Sequence, residues 1–154
     1  MTKRFKNIAN LTKTLMPTER QEAHALAKYL RIKGILFMKI PSEGKRSPIF
    51  GANLKQEGWS RGYPDYIITE KRHGFSGLAI ELKVIDKKRA KVSPEQNWWQ
   101  KVLTDRGWFA VVCYGFDDAK KILDYYFMDS WPANNVWQTL PNDFFNDALP
   151  EKFG

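Results

Sequence analysis

Residues 108–115, WFAVVCYG, form an almost unbroken apolar run. A strand with one wet face alternates apolar and polar residues, whereas a short run without alternation reads as a strand covered on both faces. In a chain of 154 residues, that means helices packed on each side of a sheet. The flanking residues agree. Upstream, Ser93-Pro94-Glu95-Gln96 offers an N-cap, a proline at the first helical position and a glutamine able to close a capping box. Trp99, Val102 and Leu103 supply an apolar stripe, and Gly107 stops the helix. Downstream, Asp117 or Asp118 opens a last helix to about Phe127.

The first half of the chain reads in the same way. Pro17 and Thr18, followed by Glu19 and Glu22, mark a helix start. Ala23, Leu26, Ala27 and Leu30 form its stripe, and Lys33-Gly34 its end. GILFMKI, residues 34–40, reads as a strand. Residues 41–63 are rich in Gly, Ser, Pro and Lys and make the longest loop, of a length usually functional or disordered. Residues 66–69 and LAIELKVI flank the turn region EKRHGFSG, which predicts a hairpin. The order is α-β-β-β-α-β-α, a small mixed α/β domain over 18–127. A basic arm, 1–17, precedes it. An aromatic, acidic tail, 128–154, follows it and is expected to pack on the domain or on a partner subunit.

Composition removes several function classes. One cysteine and two histidines exclude an internal disulfide framework and a cysteine- or histidine-rich zinc site. No apolar run approaches the roughly 20 residues that span a bilayer, and the N-terminus lacks the apolar block of a signal peptide. The expectation is a soluble protein of a reducing compartment, with no membrane partner. Lys and Arg number 25 against 17 Asp and Glu, a net of +8. The charge is uneven: residues 117–154 hold seven acids against three lysines, which places +12 on residues 1–116. It peaks at Lys87, Lys88, Arg89 and Lys91. A polyanionic partner fits that distribution, as does an ordinary solvated loop.

The chemistry-bearing stretch is GYPDYIITEKRHGFSGLAIELKV. Strand alternation puts Leu78, Ile80, Leu82 and Val84 on one face and Ala79, Glu81 and Lys83 on the other. Hairpin pairing brings Asp65 toward Glu81 and Lys83. Two carboxylates with an ammonium suit divalent-ion phosphate chemistry. Carboxylate oxygens are hard ligands for Mg²⁺, the ion polarises a phosphate and acidifies bound water, and a lysine stabilises charge on phosphoryl oxygens. The same residues also read as a surface ion pair and a turn aspartate.

The ordered set TERQEAHALAKYLR, GWSRGYPDYII, GLAIELKV and SPEQNWWQKVLTDRGWFAVVCYG resembles the VRR-NUC (virus-type replication-repair nuclease) family of the PD-(D/E)xK nuclease superfamily. The resemblance covers roughly 18–127 and implies a small restriction-endonuclease-like domain, a mixed central sheet flanked by helices. It implies that Asp65 and Glu81, with the backbone carbonyl of Leu82, hold Mg²⁺ or Mn²⁺, that Lys83 is the catalytic lysine, and that Gln96 belongs to the active centre. It further implies a carboxylate from the first helix, Glu19 by spacing, with Glu22 as the alternative. Where the family often has glutamine, this chain has Ala23. The implied activity is a metal-dependent DNA endonuclease leaving 5′ phosphates. Small stand-alone members resemble Holliday-junction resolvases, which implies branched DNA as substrate, a homodimer, and the cytoplasm of a bacterial or phage-infected host cell.

Arg61, Lys87, Lys88, Arg89 and Lys91, with Lys45 and Arg46 in the long loop, are candidates for DNA backbone contact, which positions DNA without reading sequence. Ser93 is explained by capping and Cys113 by the core. His24 and His73 sit beside no evident nucleophile. Trp98 and Trp99, adjacent on a helix, cannot share a direction, so one is expected in the core. Two other classes stand beside the nuclease: a non-cleaving nucleic-acid-binding module, and a phage structural or packaging protein.

Overall fold

The computed structural model of the chain describes residues 16–41 and 54–129. Helix α1, Glu19–Ile32, opens with a capping box: Thr18 Oγ1 accepts from the Gln21 N–H at 3.2 Å, and Gln21 Oε1 accepts from the Thr18 N–H at 2.8 Å. This satisfies two of the amides that a helix start leaves unpaired. Leu26 and Leu30 are fully buried. The helix closes at Gly34, whose φ is +66°. The Gly34 N–H donates to the Arg31 carbonyl and the Ile35 N–H to the Leu30 carbonyl, a Schellman closure.

That closure shortens the next element. Residues 34–35 are taken up in ending α1, so the strand predicted over 34–40 shrinks to β1, Met38–Lys39. It pairs antiparallel with β2, Tyr66–Ile68, through Met38↔Ile67 and Lys39↔Tyr66. The predicted hairpin joins β2 to β3, Leu78–Lys83, in the register Tyr66↔Ile80. Helix α2, Pro94–Asp105, carries the chain over to β4, Phe109–Tyr114, parallel to β3. The sheet order is β1-β2-β3-β4.

Helix α3, Phe116–Tyr126, begins one or two residues earlier than predicted from Asp117 or Asp118. Its N-cap is Gly115, at φ +85°, which offers no capping side chain. A Cβ there would collide with Ile85 Cγ1. The missing cap comes from α1: Glu22, buried, accepts the Phe116 N–H at 2.6 Å. Asp118 turns back to accept the Tyr114 N–H at 2.9 Å.

The sheet is covered on both faces, as the apolar run in β4 requires. On one side, Leu26 and Leu30 of α1 and Ile122, Leu123 and Tyr126 of α3 pack on Tyr66, Ile68, Leu78, Ile80, Leu82, Phe109, Val111 and Cys113. The other face is thinner: Ile67, Ala79 and Leu103, with Tyr63, Trp108 and Ala110 against them. The stripe predicted on α2 is shifted, with Leu103 and Gln100 buried and Trp98, Trp99 and Val102 half-buried. Neither tryptophan enters the core; Trp99 turns instead to residues 59–63, where its Nε1–H donates to the Arg61 carbonyl and its ring meets Tyr63. The fold is mixed α/β, a central mixed sheet flanked by helices in the order α-β-β-β-α-β-α. Among the described residues, no helix is long and apolar enough to cross a membrane.

Candidate active site

Ala79 lies beneath Leu103 of α2, but the next residues on that face of β3, Glu81 and Lys83, extend past the apolar cover. There a cavity of about 410 Å³ opens between the sheet edge, the N-terminus of α2 and residues 59–63. Asp65, Glu81, Lys83 and Gln96 line it, with Glu19 and Arg61 at its walls.

The loop is held in place by α2. Gly62 has φ +78°, and a Cβ on it would lie 2.7 Å from the Gln96 nitrogen and the Glu95 carbonyl carbon. Only glycine both adopts that conformation readily and lets the loop touch the helix backbone. Trp99 adds a strut, its Nε1–H donating to the Arg61 carbonyl at 3.0 Å, and its ring meeting Tyr63 edge-on at 4.8 Å.

Asp65 precedes β2 and stands opposite Glu81 by extension of the Tyr66↔Ile80 register. It is 9% exposed, and Glu81 is 3% exposed. Asp65 Oδ2 accepts the Leu82 N–H at 3.0 Å. The N–H and C=O of a strand residue lie on the same side of the strand, so the Leu82 carbonyl faces this edge too. Glu81 Oε1 meets Lys83 Nζ at 2.8 Å and also accepts from Gln96 Nε2. Gln96 Oε1 accepts from Lys83 Nζ at 3.0 Å and from the Ser93 N–H at 2.9 Å. One amide therefore caps α2 and bridges the acid and the base. Glu81 and Lys83 are buried or nearly so, which excludes the surface ion pair.

Burial and the negative charge of Asp65 raise the Glu81 carboxyl from 4.5 to about 7, against the opposing pull of Lys83 and Lys39. Two carboxylates have been brought together out of water, and the two lysines do not fully offset the cost.

The structure also separates residues that sequence placed together. Glu19 reaches the cavity wall. Glu22 does not; it caps α3 instead. The basic stretch 87–91 lies beyond β3 and does not line the cavity. Its backbone turns around Asp86, which accepts from the Lys88, Arg89 and Ala90 amides, and Lys87 Nζ sits 4.9 Å from the Tyr114 ring centroid. Lys45 and Arg46 lie outside the described residues. Cys113 is wholly buried, and burial pushes its thiol well up.

Sequence reasoning missed Lys39. Its Nζ is 2.5 Å from Asp65 Oδ1. A lysine in a two-residue edge strand carries no motif, and only the β1–β2 pairing reveals it.

Among the described residues no group of three or more His, Cys, Asp or Glu is gathered to hold a metal ion. The donor set of Asp65, Glu81 and the Leu82 carbonyl is nonetheless all hard oxygen, as Mg²⁺ and Mn²⁺ take with water completing the shell. The unfavourable pairing of Asp65 with Glu81 is what a cation between them would relieve. The residues present fit such an ion, with two carboxylates rather than three.

No family model matches the chain. A solved chain described as a VRR_NUC domain protein superposes with a TM-score of 0.57 and 25% identity, over 72% of this chain and 88% of its own length. Another, described as a VRR_NUC domain, gives a TM-score of 0.47 and 20% identity over 71% and 97%. In sequence, 55 residues are 40% identical to part of an NADH-quinone oxidoreductase polypeptide of Opitutus terrae, covering 31% of this chain but only 14% of that protein. This chain has a PD-(D/E)xK-like nuclease fold related to VRR_NUC domain proteins.

Proposed function

We propose that the protein is a Mg²⁺- or Mn²⁺-dependent DNA endonuclease that hydrolyses phosphodiester bonds. The observation that carries this reading is the convergence of Asp65, Glu81, Lys83 and Gln96 in one cavity at the sheet edge. The fold relationship supports it, and the chain's positive charge suits a phosphate backbone.

Asp65, Glu81 and the Leu82 carbonyl would hold the ion. When bound, it supplies Lewis-acid polarisation of the scissile phosphate and a more acidic water. Lys83, fixed by Glu81 and Gln96, orients the attacking water and stabilises charge growing on the phosphoryl oxygens. Gln96 limits Lys83 to one direction, so little orientation is left to acquire during reaction. Lys39 pairs with Asp65 Oδ1 and would give up that oxygen to the ion. Glu19, at the rim, is the first-helix carboxylate of the reading, and Arg61 a contact for an adjacent phosphate.

The finer reading follows the resemblance: branched DNA such as a Holliday junction, cut by a homodimer in the cytoplasm of a bacterial or phage-infected cell, leaving 5′ phosphates. Two sites related by a two-fold axis suit paired cuts. The test is a panel of labelled branched, flapped, nicked and duplex DNAs with Mg²⁺ or Mn²⁺. Cleavage is expected from the wild type and is expected to vanish with Asp65→Ala, Glu81→Ala or Lys83→Ala. Undiminished cleavage by any of the three defeats the assignment.

A further inference from the structure

A second cavity, about 660 Å³, lies on the other side of Asp65, between α1 and β1, and shares Glu19 and Asp65 with the first. Its floor includes Ala23, Ala27 and Phe37, and its rim carries Arg20, Arg31 and Lys39. Ala23 and Ala27 stand one turn apart on α1, on the same side, and their small side chains leave the space. The floor is tied to the sheet, because the Tyr66 hydroxyl donates to the Ala23 carbonyl at 2.9 Å. The Arg31 guanidinium lies 5.8 Å from the Phe37 ring centroid.

An apolar floor with a cationic rim is the composition that holds single-stranded nucleic acid, with bases against apolar or aromatic surface and phosphates on guanidinium groups. The volume is that of a small-molecule site, suited to a nucleotide rather than a duplex. The shared wall at Glu19 and Asp65 sets the groove directly beside the cavity that would hold the scissile phosphate. We propose that this groove receives an unpaired nucleotide next to the scissile phosphate, its base against Ala23, Ala27 and Phe37 and its phosphate on Arg20 and Arg31. The proposal rests on the nuclease reading of the neighbouring cavity and names what that site selects: an unpaired segment at the cut. It also assigns the principal phosphate contacts to α1 rather than to the basic stretch 87–91.

Binding can be measured without cleavage. The full chain, in buffer with EDTA, is titrated into a labelled single-stranded DNA oligonucleotide and into a blunt duplex of the same sequence, followed by fluorescence anisotropy at several salt concentrations. Arg20→Ala/Arg31→Ala is expected to weaken single-strand binding about tenfold and to reduce its log–log salt slope by about 0.7, the value for the one phosphate no longer neutralised. Duplex binding should fall less than about threefold. Ala27→Leu, which keeps the charge and fills the groove, should weaken single-strand binding alone, with circular dichroism confirming the fold. Equal losses on both DNAs, or none on the single strand, overturn the groove. Cleavage with Mg²⁺, measured separately, keeps the two readings apart. A wild type that cuts, with a double variant that binds normally, refutes the groove alone. Arginine-dependent single-strand binding by a wild type that cuts nothing supports the groove and refutes the nuclease.

Discussion

Replacing Glu81 with glutamine is expected to stabilise the protein while abolishing its proposed activity. The carboxyl is 3% exposed and faces Asp65, which raises it from 4.5 to about 7. A carboxyl raised on folding opposes folding once it is ionised. The cost is absent below about pH 4.5, grows as pH rises toward 7, and is complete above that. At about 1.4 kcal/mol per pH unit, the full cost is ~3 kcal/mol. Glutamine mimics the protonated acid, still accepting from Lys83 and Gln96 through its carbonyl oxygen. Glu81→Gln should therefore be more stable than wild type by up to ~3 kcal/mol at pH 8, a rise in Tm of roughly 6–12 °C at this chain length, with little difference at pH 4.5. Urea unfolding at the two pH values measures it. Added Mg²⁺ gives a second readout: the wild type should gain about 2.7 kcal/mol at 100 times its Kd, and the variant clearly less. Glu81→Gln no more stable than wild type at pH 8, or equally stabilised at pH 4.5, would refute the idea that the two acids are held together at a cost.

Three further outcomes follow from the same geometry. Gly62→Ala, forced into a positive φ and against the Gln96 and Glu95 backbone, should lose about 2 kcal/mol or more in chemical denaturation and lower the proposed cleavage by displacing the loop. Glu22→Ala should cost roughly 1–3 kcal/mol by orphaning the Phe116 amide, yet leave the proposed cleavage per folded molecule near wild type; Glu19→Ala should do the reverse, and a combined unfolding and cleavage assay separates the two. Lys39→Met removes an ammonium that competes with a cation for Asp65 Oδ1. Mg²⁺ affinity by calorimetry should rise roughly two- to fivefold, the range of a partly exposed pair, and a fall would show that Lys39 chiefly holds Asp65 in place.

What the sequence disclosed follows from what repeats along it. The N-caps at Thr18 and Ser93 are local, each written within four residues, and both formed as read; the box that Gln21 closes on Thr18 was not named from the sequence, while the one Gln96 closes on Ser93 was. The alternation in β3 placed Glu81 and Lys83 on the face opposite Leu78, Ile80 and Leu82, and the apolar run in β4 announced helices on both sides of the sheet. The failures share a cause. β1 shrank because Gly34 and Ile35 are used in closing α1, a competition between neighbouring elements that propensity does not rank. Glu22 looked like an ordinary first-turn acid because its partner, the Phe116 amide, lies 94 residues away. Lys39 was passed over for the same reason: its meaning depends on pairing with β2.

The case of Glu22 shows why motif spacing could not rank the two first-helix acids, and what the structure adds: Glu19 lines the cavity, whereas Glu22 is bound to the Phe116 amide. Glu19 and Glu22 lie three positions apart on a helix and so point in broadly neighbouring directions. Either satisfies a pattern that asks only for an acid near the start of α1. Gly115 breaks the tie. Its close approach to Ile85 keeps that position without a side chain, so α3 starts with no cap of its own, and a buried carboxylate from another element must supply one. Glu22 is engaged with that amide, and Glu19 is left at the wall shared by both cavities. A glycine that neither touches the site nor carries chemistry therefore determines which glutamate is available to it.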